Sequence, residues 1–171
     1  MAESAAAHRV CVRPRQLMPH MRTVVTFRSV AFNTSERRPY FVNDGCFGDD
    51  VARWLITELQ SHGVAINSEP DQEDFGWYFS FRPGDTEHQF IIGFRPGSGE
   101  ELGTWIGWVE RRAGLIGSLL GARGRGIEPG ALRAIHDVLA SDRRVSAVRW
   151  HRKTDFDAAN ESDGASEPDA A

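Results

Sequence analysis

The fold is decided by residues 69–109, which read EPDQEDFGWYFSFRPGDTEHQFIIGFRPGSGEELGTWIGWV. Aromatic side chains occupy every second position from Trp77 to Phe81, and a period of two is typical of a half-buried β-strand. Two further runs alternate in the same way, and each follows a turn that contains Pro and Gly. These runs are His88–Arg95 and Gly103–Val109. Together the three runs predict an antiparallel meander.

A meander of this kind needs a second layer on its apolar face, and two amphipathic helices can supply that layer. The first predicted helix is Asp49–His62, in which Leu55 and Leu59 belong to an apolar stripe with helical spacing. The second is Glu128–Ser141, where Pro is placed for the first turn and Leu132 lies in the middle of the stripe.

Shorter runs with extended character flank these elements. They are residues 22–32, 40–42, 64–66 and 145–151. Helices that interrupt a mostly antiparallel sheet are typical of an α+β fold. We therefore predict an α+β domain with a mostly antiparallel sheet of about five to six strands and two main helices packed on one face.

The periodic sequence is confined to residues 21–153, which we predict to be a single domain. Residues 1–20 have no hydrophobic period, so we expect a disordered arm there, or an extension ahead of a true start at Met21. Residues 154–171 are acidic and rich in Ala and Ser, and we expect them to form a disordered tail.

Charge divides the predicted domain into two parts. The chain carries a net charge of −4, but residues 44–110 hold 13 acidic residues against three arginines, a net −10. Residues 111–153 hold ten basic residues against three acidic ones, a net +7. If the two parts occupy different surfaces, the domain has opposed charged patches. The alternative is that they pair with each other across the fold.

Motifs for catalysis are absent from the sequence. It lacks the Gly-x-Ser-x-Gly elbow of hydrolases with a serine nucleophile, and it has no phosphate-binding or dinucleotide-binding loop. No His, Cys or Asp cluster has metal-ligand spacing. We predict no catalytic residue, no metal ligand and no cofactor, and an enzyme is the less favoured class. Cys11 and Cys46 make no disulfide framework, and no apolar run suits a bilayer, so we expect a cytoplasmic protein with no membrane partner.

Residues 111–126 are the most unusual segment, since arginines flank four aliphatic residues that are interrupted by Gly. We interpret the segment as a short helix over the sheet followed by an Arg-Gly loop, with a partner-binding element as the alternative. Arginines here could contact phosphates, but the pI of about 5.9 argues against a nucleic-acid partner.

Four carboxylates stand close together just before the first strand of the meander. They are Glu69, Asp71, Glu73 and Asp74. One interpretation is a site for a cation or a basic protein partner, and the other is a solvated loop, because charge runs usually mark solvated segments. The run Glu73-Asp74-Phe75-Gly76-Trp77 resembles segments of small bacterial proteins with acids before a Gly-Trp strand, and this resemblance implies no activity and no site.

Two functions from different classes remain. The first is a non-enzymatic cytoplasmic binding protein of bacterial type. It would use the acidic run or the exposed sheet face, where we expect Tyr78, Ser80, Arg82, Gln89 and Trp108. One version neutralises a basic partner, as immunity proteins neutralise toxins. The second is a small-molecule-binding domain or enzyme. Its cleft would be lined by Trp77, Tyr78, Arg82 and Trp105. A flat acidic patch favours the first function and a closed apolar pocket the second.

Overall fold

The computed structural model describes residues 21–112, 126–158 and 164–169. In it, seven strands form one sheet in which every strand pair is antiparallel. Two long helices pack together and cover one face of that sheet. This arrangement confirms the predicted α+β class, and the sheet has one strand more than expected because two short strands share one edge.

The elements have the following bounds. The strands are β1 (Arg22–Arg28), β2 (Ala65–Ile66), β3 (Asp71–Glu73), β4 (Gly76–Arg82), β5 (His88–Arg95), β6 (Thr104–Arg111) and β7 (Ser146–Arg152). The helices are α1 (Asp49–Ser61), α2 (Pro129–Ser141) and the short α3 (Lys153–Asp157).

The predicted meander forms the middle of the sheet, whose order is β2-β4-β5-β6-β1-β7. The short β3 also pairs with β4, so β2 and β3 lie one after the other along the same edge. β1 closes onto β6, which is distant in sequence, and β7 pairs with the far side of β1. Each strand of the meander therefore has neighbours on both sides.

The inner face of the sheet, which we define as the face toward the helices, carries the core. Phe79, Phe90 and Val109 lie side by side in register across β4, β5 and β6, and each is at most 1% exposed. Leu55 of α1 and Leu132 of α2 are fully buried against this layer. Burial of each such side chain stabilises the fold by about 1.5–3 kcal/mol, so the period-2 strands and the helical stripes together account for the layered core.

The structure corrects two local predictions near the sheet edge. The acidic run is not wholly a loop, because Asp71–Glu73 is strand β3. Residues 40–42 form no strand; instead the buried Phe41 packs its ring against Trp77, with ring centroids 5.3 Å apart. The two differences have separate causes. Asp71–Glu73 becomes a strand because it pairs with β4 at the sheet edge, whereas Phe41 packs into the core from a loop.

The C-terminal part also differs from the expected disordered tail. Residues 153–157 form α3, and residues 164–169 lie against the end of the sheet. The amide of Ala165 donates to the carbonyl of Trp150 at 2.8 Å, and the amide of Trp150 donates back at 2.7 Å. Glu167 pairs with Arg133 at 3.3 Å. The described part of this segment therefore bonds through its backbone and through an ion pair with a basic residue.

The predictions for residues 1–20 and for most of residues 111–126 fall outside the part of the chain that the structure describes. None of the helices within the described ranges combines the length and the apolar character that a bilayer crossing requires.

Candidate functional site

The face of the sheet away from α1 and α2, here called the outer face, carries an unusual row of side chains. Tyr78, Ile91 and Trp108 lie next to one another in register across β4, β5 and β6. They lie there because their strands alternate and the neighbouring aromatic positions already face the core. One half of the outer face therefore presents aromatic and aliphatic surface away from the helices.

Strand β3 adds carboxylates to this surface. Asp71 pairs with Tyr78 in register, so the period of two turns Asp71 and Glu73 toward the outer face and Gln72 toward the core. Gln72 is 9% exposed, and its amide oxygen accepts the backbone N–H of Val42 at 2.6 Å. That inward bond anchors the edge strand, and the two acids are presented side by side.

The turn from β3 to β4 projects an aromatic ring over the same surface. Glu73 pairs with Gly76, which leaves Asp74 and Phe75 as the two residues of the turn. Gly76 has a φ of 149°, and a Cβ there would stand 2.5 Å from the carbonyl oxygen of Ile92, so only Gly permits this close approach. Phe75 is 54% exposed, and its ring centroid is 6.1 Å from that of Trp108.

Together these side chains line an open groove of about 480 Å³ on the outer face. We call it the groove, and its lining residues are Glu73, Phe75, Tyr78, Gln89, Ile91, Trp108 and Glu110. Two of these residues are carboxylates, and none of the lining residues that the structure describes is basic. The described lining thus combines three aromatic rings with a net negative charge.

The polar hydrogens of the aromatic rings are already used within the protein. The Tyr78 hydroxyl donates to Oδ2 of Asp71 at 3.0 Å, and the indole Nε1–H of Trp108 donates to Oε1 of Glu110 at 3.1 Å. Among the described residues, no hydrogen bond or ion pair engages the carboxylate of Glu73. Apart from the amide of Gln89, the groove consequently offers hydrogen-bond acceptors to a ligand.

The electrostatics of the groove are reflected in Tyr78. Burial raises the pKa of its phenol, and the hydrogen bond to Asp71 and the charges of Asp71 and Glu73 raise it further, against a smaller lowering by Arg112. Arg112 itself pairs with Glu87 at 3.2 Å. Burial and the two carboxylates thus act in the same direction, and both favour the protonated phenol.

Two other cavities, one smaller and one shallower, differ from the groove because each contains an arginine paired with an acidic residue. The cavity between α1 and α2 holds Arg144, which pairs with Asp142 at 2.6 Å and stacks over the ring of Trp54 at 5.2 Å. The cavity beside β2 holds Arg53, which pairs with Glu69 at 3.1 Å. In both, the opposite charges are already matched.

The four predicted acidic residues do not form one site. Asp71 and Glu73 face the groove or its rim, as described above. Glu69 instead pairs with Arg53 on the other side of the edge, and Oδ1 of Asp74 accepts from the side-chain amide of Asn43 at 3.2 Å. The strand period separates them, because residues that are near in sequence point to opposite faces or leave through the turn.

The predicted cleft is not assembled. Trp77 and Trp105 are 4% and 0% exposed in the core, and their indole N–H groups donate to the carbonyls of Cys46 and Ser29. Tyr78 and Arg82 belong to the opposite face, since their positions along β4 differ from Trp77 by an odd number. Of the four residues, only Tyr78 lines the groove.

Sequence reasoning missed three groove residues. Phe75, which follows the acidic run, is not among the predicted site residues, although an aromatic residue before Gly at a strand entrance is typical of a turn. Ile91 breaks the apolar-polar alternation of β5, and that break was the available signal for apolar surface on the outer face. Glu110 was missed because β6 continues to Arg111, beyond the predicted end at Val109.

The other half of the outer face is covered by the chain itself. His151 of β7 is 3% exposed, and its Nε2 lies 2.9 Å from the hydroxyl oxygen of Thr26. The ring of Phe156 in α3 lies 5.4 Å from that of His151, and Gly164 passes so close that a Cβ would be 2.5 Å from the imidazole. The described residues of the C-terminal segment thus cover β1 and β7, and none of them lines the groove.

Comparisons with protein-family models, curated proteins and solved structures find no match to this chain. Within the described ranges, no group of three or more His, Cys, Asp or Glu side chains is arranged to hold a metal ion. The groove is therefore the candidate functional site.

Proposed function

We propose that this protein is a small cytoplasmic binding protein of bacterial type that captures a basic protein partner through the groove. The observation that carries the proposal is a lining whose described residues include three aromatic rings and two carboxylates and no basic side chain. Aromatic residues are enriched at protein interfaces, and an open apolar patch with acidic edges suits a partner that brings positive charge.

The surroundings support the same partner chemistry. Asp71 stands next to the groove on β3, and the region 44–110 carries a net −10 from 13 acidic residues and three arginines. Such a field attracts a basic protein over a distance of about 10 Å at moderate salt and speeds its association. Neutralisation of a basic toxin, as immunity proteins achieve it, is one form of this function.

The test uses a defined basic peptide and the full chain. The peptide carries Arg and Lys at alternate positions between Gly and Ser, and calorimetry measures its Kd at low and high salt. The test variant is Glu73→Gln with Glu110→Gln, whose side chains line the groove. The matched control is Glu69→Gln with Asp74→Asn. It also removes two negative charges, but from residues outside the groove lining.

We expect the groove variant to weaken binding about tenfold, which corresponds to roughly 1.4 kcal/mol, and the control to change it little. High salt should imitate the groove variant. Equal weakening by the two variants would mean that only total charge matters, and no binding by the unmodified protein at low salt would overturn the proposal.

A further inference from the structure

The groove differs from a general acidic patch in what its polar atoms can still do. The Tyr78 hydroxyl and the Trp108 indole have spent their hydrogens on Asp71 and Glu110. Apart from the amide of Gln89, what remains for a ligand is the lone pairs of the phenol oxygen, one oxygen of Glu110 and both oxygens of Glu73. A ligand that bonds to these acceptors must bring several hydrogen-bond donors.

The second constraint is set by the rings. The ring centroids of Phe75 and Trp108 are 6.1 Å apart, and the two rings make an angle of 50°. Phe75 is 54% exposed at the turn between β3 and β4. A ligand in the groove must therefore place a flat or apolar surface against aromatic faces. It must at the same time direct its donors sideways to the carboxylates.

We propose that the groove receives an arginine side chain of the partner, in preference to lysine. A guanidinium has five N–H donors and no acceptor, it is planar, and it is weakly hydrated, so it can stack on a ring while it bonds to a carboxylate in its own plane. A lysine ammonium is compact and strongly hydrated and cannot do both at once. This inference rests on the proposed function and narrows its ligand.

The size of the groove agrees with an arginine presented by a protein. Its volume of about 480 Å³ lies within the range of ligand sites and exceeds what one guanidinium needs. The remaining space can hold the aliphatic stem of the arginine against Ile91 and the adjoining backbone of the partner. Among the described residues, Arg112 is paired with Glu87 at 3.2 Å and no lining residue is basic, so none of them occupies the groove with its own positive charge.

The experiment compares two peptides that differ only in having Arg or Lys at every basic position. Calorimetry with the full chain measures both Kd values at the same salt concentration. We expect the Arg peptide to bind about tenfold more tightly, because stacking and paired hydrogen bonds are available to Arg alone. Ethylguanidine alone is a third ligand and should bind at least about a hundredfold more weakly than the Arg peptide.

Substitutions of Phe75 and of Glu73 separate the contribution of ring stacking to binding from the contribution of charge. Phe75→Leu should reduce the ratio of the two Kd values to about two, since it removes one aromatic face and keeps the charge. Phe75→Tyr should keep the ratio, and Glu73→Gln should weaken both peptides. Thermal melts check that each variant is folded, and the exposed position of Phe75 keeps that risk low.

Three results would overturn the inference, and they differ from a failure of the proposed function. Equal affinity for the two peptides, with both weakened by Glu73→Gln, would leave a basic-partner site without a preference for Arg. Ethylguanidine binding as tight as that of the Arg peptide would point to a small-molecule site. If Phe75→Leu left the ratio of the two Kd values unchanged, stacking on Phe75 would not be the cause of the preference for Arg. Absence of binding by either peptide would instead remove the proposed function itself.

Discussion

At the scale of single residues, one backbone position stands out. Ala147 near the start of β7 has a φ of 53°, in the left-handed region that favours Gly, where the pairing with β1 shifts register. A residue with a Cβ in this region costs about 1–2 kcal/mol. The strain is local, because Ala147 is exposed and its side chain contributes nothing to the core.

We expect Ala147→Gly to raise the free energy of unfolding by about 0.5–1 kcal/mol, since the relief of strain exceeds the entropy that Gly loses on folding. The matched control is Ala140→Gly on an exposed position of α2, which should lower stability by about 1 kcal/mol. Urea melts measure both. A loss of stability in Ala147→Gly would show that the left-handed conformation carries no strain.

A second residue-scale feature is the imidazole of His88, which is fully buried. Its Nδ1–H donates to the carbonyl of Thr86 at 3.0 Å, and its Nε2 accepts the backbone N–H of Glu128 at 3.1 Å. Burial lowers the pKa of His88 from its ordinary 6.5, against the raising effects of the Thr86 carbonyl and Glu128. The neutral ring therefore joins the β4–β5 connection to the start of α2.

The lowered pKa makes stability depend on pH. Below pH 6.5 the unfolded chain binds a proton at His88 that the folded chain resists, so the free energy of unfolding falls as the pH falls. We expect urea melts to show this loss between neutral and mildly acidic pH, and His88→Gln to show a smaller one. An equal pH dependence in the variant would show that His88 is not the source of the effect.

At the scale of elements, stability depends on the two helix stripes. Leu55 of α1 and Leu132 of α2 are fully buried between the helices and the inner face. Leu55→Ala and Leu132→Ala should each lower the free energy of unfolding by about 2–5 kcal/mol, because each leaves a cavity in the core. Gln60→Ala on the exposed side of α1 should change it by less than about 0.5 kcal/mol. Denaturant melts test all three.

The same elements show what sequence patterns predict well. The alternation around Phe79 and Phe90 and the helical stripes through Leu55 and Leu132 were sufficient for the α+β class and for one covered face. The patterns did not reveal β3, because three residues with two acids lack an apolar period. They also placed Trp77 and Tyr78 in one cleft, although adjacent strand residues face opposite sides.

At the scale of the whole molecule, the C-terminal segment closes one half of the outer face. It bonds to Trp150 through two backbone hydrogen bonds, pairs Asp169 with Arg22, and covers His151. Removal of residues 159–171 should therefore lower the melting temperature, with a loss of about 1–3 kcal/mol from the hydrogen bonds and the uncovered polar groups.

Calorimetric scans of the truncated and full-length chains give the measurement. Removal of residues 1–20 is the companion experiment, for which we expect no change, since no hydrophobic period in them offers a surface to bury. Ala165→Pro supplies a sharper version within the full chain, because it removes the N–H that donates to Trp150. Identical melting of the full chain, the C-terminal truncation and Ala165→Pro would mean that the segment contributes nothing.

The sequence by itself determined the three strands of the meander and the two long helices, with their approximate bounds and the stripe of each helix that is buried, since these follow from local periods of two and 3.6 residues. Only the tertiary structure decided that Tyr78, Ile91 and Trp108 share a row and that Glu73, Phe75 and Glu110 surround it. Those neighbours come from four strands and from the turn between β3 and β4. Their meeting depends on strand order and register, which arise from pairing across the whole sheet and leave no local period in the chain.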